Sequence, residues 1–237
     1  MKKEIVKQEN CDVPCFAQDD IKSNFLPTDL SIPKLWLLQA MSDVVVEGKA
    51  KIGDFWLTSH SEPIKNPIFT PILYKKVCFV SSKTTGSKDR FKLESIFQVK
   101  TVEDEKLPWN ETVNGKDIKR EYAFVFFGML EGHDTLPVSF TLKSTSYKSG
   151  QKMATQMYVV NKMSCKNAVY YPSAVKFKLL SKTEKGDDGS YAVVDVKVES
   201  TTTNEEQTTC FNWYNVLSST AFDDLISEDS PPPIPTK

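Results

Sequence analysis

Histidine and arginine are scarce in this chain of 237 residues, which contains two of each. His60 and His133 alone supply few metal ligands or general bases, and the chain has no phosphate-binding glycine loop, serine-hydrolase motif or zinc-protease motif. Arg90 and Arg120 alone leave it poor in the residue that most often reads guanine in the major groove. The sequence therefore predicts a protein that is not an enzyme, has no cofactor or metal, and does not read duplex DNA by sequence.

Cysteines and long apolar runs are also sparse. The five cysteines are an odd and scattered set, which disfavours a disulfide framework and indicates a reducing compartment. No run of 18 apolar residues is present, and residues 1–20 lack the apolar core of a secretory signal. We therefore expect a cytoplasmic protein with no membrane partner.

Alternation of apolar and polar residues dominates the chain from residue 54 to residue 200 and predicts six to eight strands. Residues 122–131 form the most apolar stretch, which predicts a central strand buried on both faces. Residues 103–121 are polar and carry turn signals at Pro108 and at Asn114 with Gly115, so they predict a loop excursion.

Two segments, residues 144–164 and 205–220, show helical spacing instead. Their apolar residues recur every three or four positions, namely Met153, Met157 and Val160 in the first and Phe211, Tyr214 and Leu217 in the second. Helices do not alternate with strands throughout, which disfavours a parallel doubly wound sheet. We predict a mainly β fold, a β-barrel like the oligonucleotide-binding (OB) fold, with one inserted helix and one C-terminal helix. The order of elements leaves a β-sandwich as an alternative.

Composition divides the chain into three parts. Residues 1–24 are polar and predict a flexible N-terminal segment, whereas residues 25–220 predict a single OB-like domain. Residues 221–237 contain four acidic residues and four prolines, which predict a disordered acidic tail. Without this tail the chain carries 29 basic and 27 acidic residues, so the tail and the domain have opposite net charge.

Residues 136–180 are unusually basic. These 45 residues contain seven lysines and neither aspartate nor glutamate, and aromatic residues are interleaved with the lysines. Residues 65–100 are a second basic stretch, with seven lysines and Arg90 against two acidic residues. If the two stretches fold side by side, they form a positive groove beside the acidic residues of 103–121.

Such a groove has a specific chemistry. Lysines follow a phosphate backbone and release counterions, whereas aromatic rings stack on unpaired bases. Phe177 is expected in the core, because it alternates with lysines on a strand, and Tyr147, in a loop-like stretch, is the aromatic residue expected to meet a base. The residues predicted to contact single-stranded DNA are Lys75, Lys76, Lys143, Tyr147, Lys148, Lys152, Tyr158, Lys162, Tyr170, Lys176 and Lys178.

The acidic tail has a predicted role beside this groove. Its negative charges can occupy the groove in competition with nucleic acid, and bound nucleic acid would release the tail toward partner proteins. The tail residues expected to act in this way are Phe222, Asp223, Asp224, Glu228 and Asp229.

This layout resembles bacteriophage single-stranded DNA-binding proteins. The resemblance lies in the elaborated OB barrel, the helix near the C-terminus and the acidic tail. The segments LPTDLSIPKLWLLQAMSDVVVEGKAKIGDF and PVSFTLKSTSYKSGQKM also resemble uncharacterised phage proteins of DNA metabolism. The resemblance to the single-stranded DNA-binding proteins implies an elaborated OB barrel that coats and protects single strands during phage replication and recombination in the host cytoplasm, with replication or recombination proteins as tail partners. The tail of the family commonly ends in an aromatic residue, whereas this chain ends in Lys237.

Other functions stay open at the level of sequence. A β-rich virion or adaptor protein that does not bind nucleic acid is the main alternative, and a recombination annealing protein is close to the leading interpretation. The sequence leaves open the preference for DNA or RNA and whether copies of the chain associate.

Overall fold

The computed structural model describes residues 32–60, 62–133, 136–164, 174–186 and 189–220, with side chains omitted at 161–164 and 219. In this part of the chain, nine strands and four helices are formed. The strands are β1 (Lys34–Leu37), β2 (Phe55–Leu57), β3 (Ile68–Thr84), β4 (Lys92–Gln98), β5 (Asn110–Val113), β6 (Lys116–Leu130), β7 (Val138–Lys143), β8 (Val175–Gly186) and β9 (Gly189–Thr201). The helices are α1 (Asp43–Val46), α2 (Val102–Glu105), α3 (Tyr147–Ser164) and α4 (Asn204–Ser219).

All nine strands belong to one sheet, which curls into a half-barrel. The strand order is β2-β1-β7-β6-β3-β8-β9, while β4 pairs with β3 and β5 pairs with β6. The pairs are antiparallel except for β1 with β7. The predicted mainly β, barrel-like fold, with one helix among the strands and another after them, is confirmed.

The register of the strands decides what each face of the sheet carries. Phe124 lies directly opposite Leu142, so both point to one face, and α3 packs there through Met153 and Met157. We call this side the α3 face. The next residue along β6, Val125, points to the other side, which we call the α4 face because Cys210 and Leu217 of α4 pack on it. Residues 122–130 are buried throughout, as a central strand with both faces covered requires.

Strand β9 lies at one end of the sheet, and side chains bind its backbone. Ser146 accepts from the N–H of Val194 at 3.1 Å, and Ser149 donates to the carbonyl of the same residue. Gln39, which follows β1, forms two hydrogen bonds with the backbone of Ala192. An exposed strand edge invites pairing with other chains, so these side chains cover the edge that strand pairing leaves open.

The segment predicted as a polar loop, residues 103–121, is mostly regular structure, and that prediction is wrong. It contains part of α2, all of β5 and the first six residues of β6. Asn114 and Gly115 have φ values of 51° and 76°, as a tight turn between β5 and β6 requires. These residues are polar because both faces of the sheet are exposed to solvent at this end. Polarity alone does not distinguish an exposed strand from a loop.

Helix α4 is confirmed, and of its three residues at the predicted spacing Leu217 is buried while the other two are not. Cys210 and Leu217 are buried and Trp213 packs beside them, whereas Phe211 is 43% and Tyr214 is 37% exposed. Among the described residues, no helix is long and apolar enough to cross a membrane.

Candidate nucleic-acid interface

Helix α3 lies close against the sheet because a glycine faces it. A Cβ atom at Gly150 would lie 2.9 Å from Cδ2 of Phe124 and 3.2 Å from Cβ of Leu142. The adjoining buried side of the helix consists of Met153, Ala154 and Met157. The predicted helical spacing of the methionines is therefore confirmed, and it fixes which side of α3 points away from the sheet.

The side of α3 that points away from the sheet is basic and partly aromatic. Lys148 and Lys152 are exposed one turn apart, and Tyr158 is 55% exposed further along the helix. The helix contains three lysines and no acidic residue, and its first turn carries no acid. Since the N-terminal end of a helix is itself partially positive, these lysines strengthen a positive potential already present. We call this surface the α3 outer face; its exposed residues are Lys148, Gln151, Lys152, Thr155, Tyr158 and Val159.

Lys152 has partners on β9. Its Nζ donates to the carbonyl of Val196 at 2.7 Å and lies 3.5 Å from Oδ1 of Asp195. Asp195 also pairs with Lys182 at 2.7 Å, and the hydrogen bond from Lys182, with the charge of Lys152, lowers the pKa of the Asp195 carboxyl. Two ammonium groups therefore share one carboxylate, so this cluster keeps one positive charge beside the α3 outer face.

Lys76 and Tyr147 make contacts mainly with other residues of the domain. Nζ of Lys76 lies 2.5 Å from Oε1 of Glu105 and 5.7 Å from the ring centroids of both Phe124 and Tyr147. Burial lowers the pKa of Lys76, but its hydrogen bonds with Glu105 and Tyr147 outweigh burial and raise it. Tyr147 is half-buried and is the first residue of α3, so the expectation that it lies in a loop is wrong.

Lys143 and Lys75 lie on the other side of the sheet. Lys143 follows Leu142 on β7 and therefore points to the α4 face, where it pairs with Glu121 at 3.3 Å and lies over the ring of Phe79. Lys75 is directly opposite Val125, so it also belongs to the α4 face. The structure does not bring these two lysines together with the α3 outer face.

Lys176 and Lys178 of β8 are separated from the α3 outer face as well. They alternate with the buried Phe177, as predicted, and so point away from the α3 face. Lys176 pairs with Glu206 of α4 and lies 3.7 Å from Glu131. The hydrogen bond with Glu206 raises the pKa of Lys176 despite partial burial. The predicted groove is therefore divided between the two faces of the sheet.

Several predicted site residues fall outside what the structure describes. Lys162 belongs to α3, but its side chain lies outside the described atoms. Tyr170 and the tail are outside the described residues altogether. The tail residues concerned are Phe222, Asp223, Asp224, Glu228 and Asp229.

Sequence reasoning missed both the partners of the lysines and some exposed aromatic residues. Glu105, Glu121 and Glu206 come from outside the acid-free stretch, and no local signal pairs them with lysines far away in the chain. Trp109 is 61% exposed although its neighbourhood is well ordered by hydrogen bonds. In the described ranges, no group of three or more histidine, cysteine, aspartate or glutamate residues is arranged to hold a metal ion.

The fold and the site define a class of protein: a curled β half-barrel whose one long inserted helix exposes lysines and a tyrosine. The chain belongs to the Pam3 phage gp34-like protein family, whose family model matches residues 7–217, so it is a phage protein. Searches of the curated proteins and of the solved structures found no match to the chain.

Proposed function

We propose that this phage protein binds single-stranded DNA without sequence preference, and that the α3 outer face is the contact surface. The observation that supports this proposal is the placement of Lys148, Lys152 and the exposed Tyr158 on one side of a helix that has no acidic residue. The proposal keeps the function expected from the sequence and moves the contact from a groove across the sheet to one helix.

The chemistry of this face suits an unpaired strand. Each lysine that contacts a phosphate releases counterions, so binding weakens as salt increases. An exposed tyrosine can stack on a base, which contributes about 1–3 kcal/mol per base and requires that the base be unpaired. Because the described part of the chain supplies only two arginines, and Arg120 is bonded to Pro108 and Glu111, duplex readout has little support.

The acidic tail, residues 221–237, completes the proposal. In the absence of DNA its carboxylates compete for the lysines of the α3 outer face, and DNA releases the tail toward replication or recombination proteins. In this role the protein coats and protects single strands during phage replication or recombination in the host cytoplasm.

The proposal is tested by fluorescence anisotropy of labelled oligothymidine at about 50 mM and about 200 mM salt, with a duplex of equal length as the comparison. Binding that prefers the single strand and weakens about tenfold or more with salt supports it, as expected for about three phosphate contacts. Absence of binding at the lower salt concentration, or equal affinity for the duplex, contradicts it.

A virion or adaptor protein without nucleic-acid binding is the second candidate. The observation in its favour is that Lys76, Lys143, Lys152 and Lys176 already pair with carboxylates, which leaves them less available to phosphates. Oligothymidine binding separates the two candidates, since a structural protein of this kind does not bind it at low salt.

A further inference from the structure

Three large apolar side chains are exposed within one short segment, residues 101–109, beside the start of α3. Val102 is 62%, Leu107 is 37% and Trp109 is 61% exposed. Single exposed apolar residues are common on soluble proteins, but three within nine residues, one of them a tryptophan, indicate an interaction surface.

This segment is held in place by its backbone. Thr101 and Asp104 form a reciprocal capping box at the start of α2. The hydroxyl of Tyr122 donates to the carbonyl of Asp104 at 2.6 Å, and Nη1 of Arg120 donates to the carbonyl of Pro108 at 3.0 Å. The segment is therefore ordered before binding, which reduces the entropy lost when a partner docks.

The ring of Trp109 is also oriented before any partner binds. It meets the ring of Tyr122 edge-on, with 6.0 Å between the ring centroids. A preoriented and exposed indole is the type of residue that most often dominates the energy of a protein interface.

The segment and the α3 outer face have opposite charge and similar apolar character. Residues 101–109 contain three acidic residues and one lysine, and one of the acids, Glu105, pairs with Lys76. The α3 outer face has lysines without acids, and its apolar contribution comes from Tyr158, 55% exposed, and Val159, 46% exposed. Each surface therefore offers the other opposite charge around an apolar centre.

Within one molecule, the 101–109 segment lies beside the start of α3. Nζ of Lys76 lies 2.5 Å from Glu105 in the segment and 5.7 Å from the ring centroid of Tyr147 at the start of α3. When one molecule carries two complementary patches, a two-fold axis between two copies can bring each patch against its complement on the other copy.

We propose that two copies of this chain form an isologous dimer, in which the 101–109 segment of each copy docks on the α3 outer face of the other. Trp109 is the apolar anchor of each half of the interface. Glu103 of one copy is attracted by the positive charges of Lys148 and Lys152 on the other. This dimer does not rest on the proposed DNA binding, but it uses the same face of α3, so single-stranded DNA, the acidic tail and the second copy all compete for it.

The test is sedimentation equilibrium of the full chain over a range of protein concentrations at about 50 mM salt, where surface charges are weakly screened. We expect a monomer–dimer equilibrium for the unchanged chain. Trp109→Ala is expected to raise the dissociation constant of the dimer at least about tenfold, since interface tryptophans are frequent hot spots. Met41→Ala is the matched control, because Met41 is 69% exposed and lies outside both surfaces.

A charge exchange makes the test specific to these two surfaces. Glu103→Lys and Lys148→Glu are each expected to weaken the dimer, and the double variant is expected to recover part of the loss because opposite charges again face each other. Thermal unfolding of each variant shows whether it is folded.

A monomer at every concentration, open-ended assembly, or a dimer unaffected by Trp109→Ala would each overturn the proposal. The sedimentation test contains no DNA, so failure of the proposed DNA binding does not change its outcome.

Discussion

The side-chain amide of Gln39 donates to the carbonyl of Ala192 at 3.0 Å and accepts from the N–H of the same residue at 2.9 Å. Gln39 follows β1 and Ala192 lies in β9, two strands that are far apart in the strand order of the sheet. One side chain thus connects the two sides of the half-barrel without a paired strand. Together with Ser146 and Ser149 from the start of α3, it covers the edge of β9.

Replacing Gln39 is expected to weaken this connection. Gln39→Ala leaves both backbone groups of Ala192 without their partners, so we expect the free energy of unfolding to fall by about 1–3 kcal/mol. The uncovered edge of β9 should also increase aggregation at high protein concentration. Urea denaturation and light scattering measure the two effects. Gln151→Ala, at an exposed position of α3, is the control and should change neither.

Gly150 offers a prediction that opposes helix propensity. Alanine favours a helix over glycine by about 1 kcal/mol, so Gly150→Ala would stabilise an isolated helix. In the protein, the added Cβ would lie 2.9 Å from Cδ2 of Phe124, and α3 would have to move off the sheet. We expect a net loss of about 1–3 kcal/mol in the free energy of unfolding, measured by urea denaturation. An unchanged or increased stability would show that α3 does not pack this closely.

The lowered pKa values of two carboxyl groups predict how the free energy of unfolding changes as the pH falls. In Glu206, burial raises the pKa, but hydrogen bonds from Lys176 and from the backbone of Thr203 outweigh burial and lower it below the ordinary value of a glutamate. In Asp195, the hydrogen bond from Lys182 lowers the pKa below the ordinary value of an aspartate. Because the unfolded chain then binds more protons than the folded chain in this range, stability is present above about pH 5 and is lost as the pH falls toward about pH 3.

The contribution of Glu206 can be isolated by comparison with an exposed glutamate. Glu206→Gln is expected to reduce the loss of stability between about pH 5 and pH 3, because the group that takes up a proton is absent. Glu199→Gln, at an exposed position of β9, is the control. Denaturation curves at several pH values would contradict the assignment if both variants kept the slope of the unchanged chain.

Deletion of residues 221–237 tests the proposed competition by the tail. Removing four acidic residues and one lysine from the chain should tighten oligothymidine binding at low salt, because the tail no longer competes for the lysines. At higher salt the difference should shrink, since screening weakens both interactions. An affinity that is equal with and without the tail at low salt would show that the tail does not cover the DNA-binding surface.

The sequence predicted the fold well wherever local periodicity decides the structure. Residues 122–131 were predicted as a central buried strand because they are apolar on both sides, and Met153 and Met157 placed the buried side of α3. The exposed end of the sheet was missed, since β5 and the start of β6 are polar on both faces and resemble a loop. In α4, the spacing of Phe211, Tyr214 and Leu217 predicted the buried Leu217, but packing adds Cys210 to the buried side and leaves Phe211 and Tyr214 partly exposed.

The candidate site was predictable only in part, because its composition is local and its arrangement is not. The absence of acids from residues 136–180 identified α3 as basic. Strand register decides which lysines are available to bind phosphate on the α3 face. Leu142 points to the α3 face, so the next residue, Lys143, points to the α4 face. Availability also depends on carboxylates such as Glu206, which reaches Lys176 from a helix that follows the last strand.

The salt dependence of oligothymidine affinity in two variants tests the central claim most directly. Lys148→Glu should weaken binding and reduce the slope of log affinity against log salt by at least about 0.7, the value for one lost phosphate contact on a single strand. Tyr158→Ala should weaken binding by about 1–3 kcal/mol. It should leave the salt slope unchanged, because stacking releases no counterions. Lys51→Glu, at an exposed position outside α3, is the control with the same charge change. If Lys148→Glu and Tyr158→Ala bind like the unchanged chain, or if Lys51→Glu is as weak as Lys148→Glu, then the α3 outer face is not the DNA-binding surface.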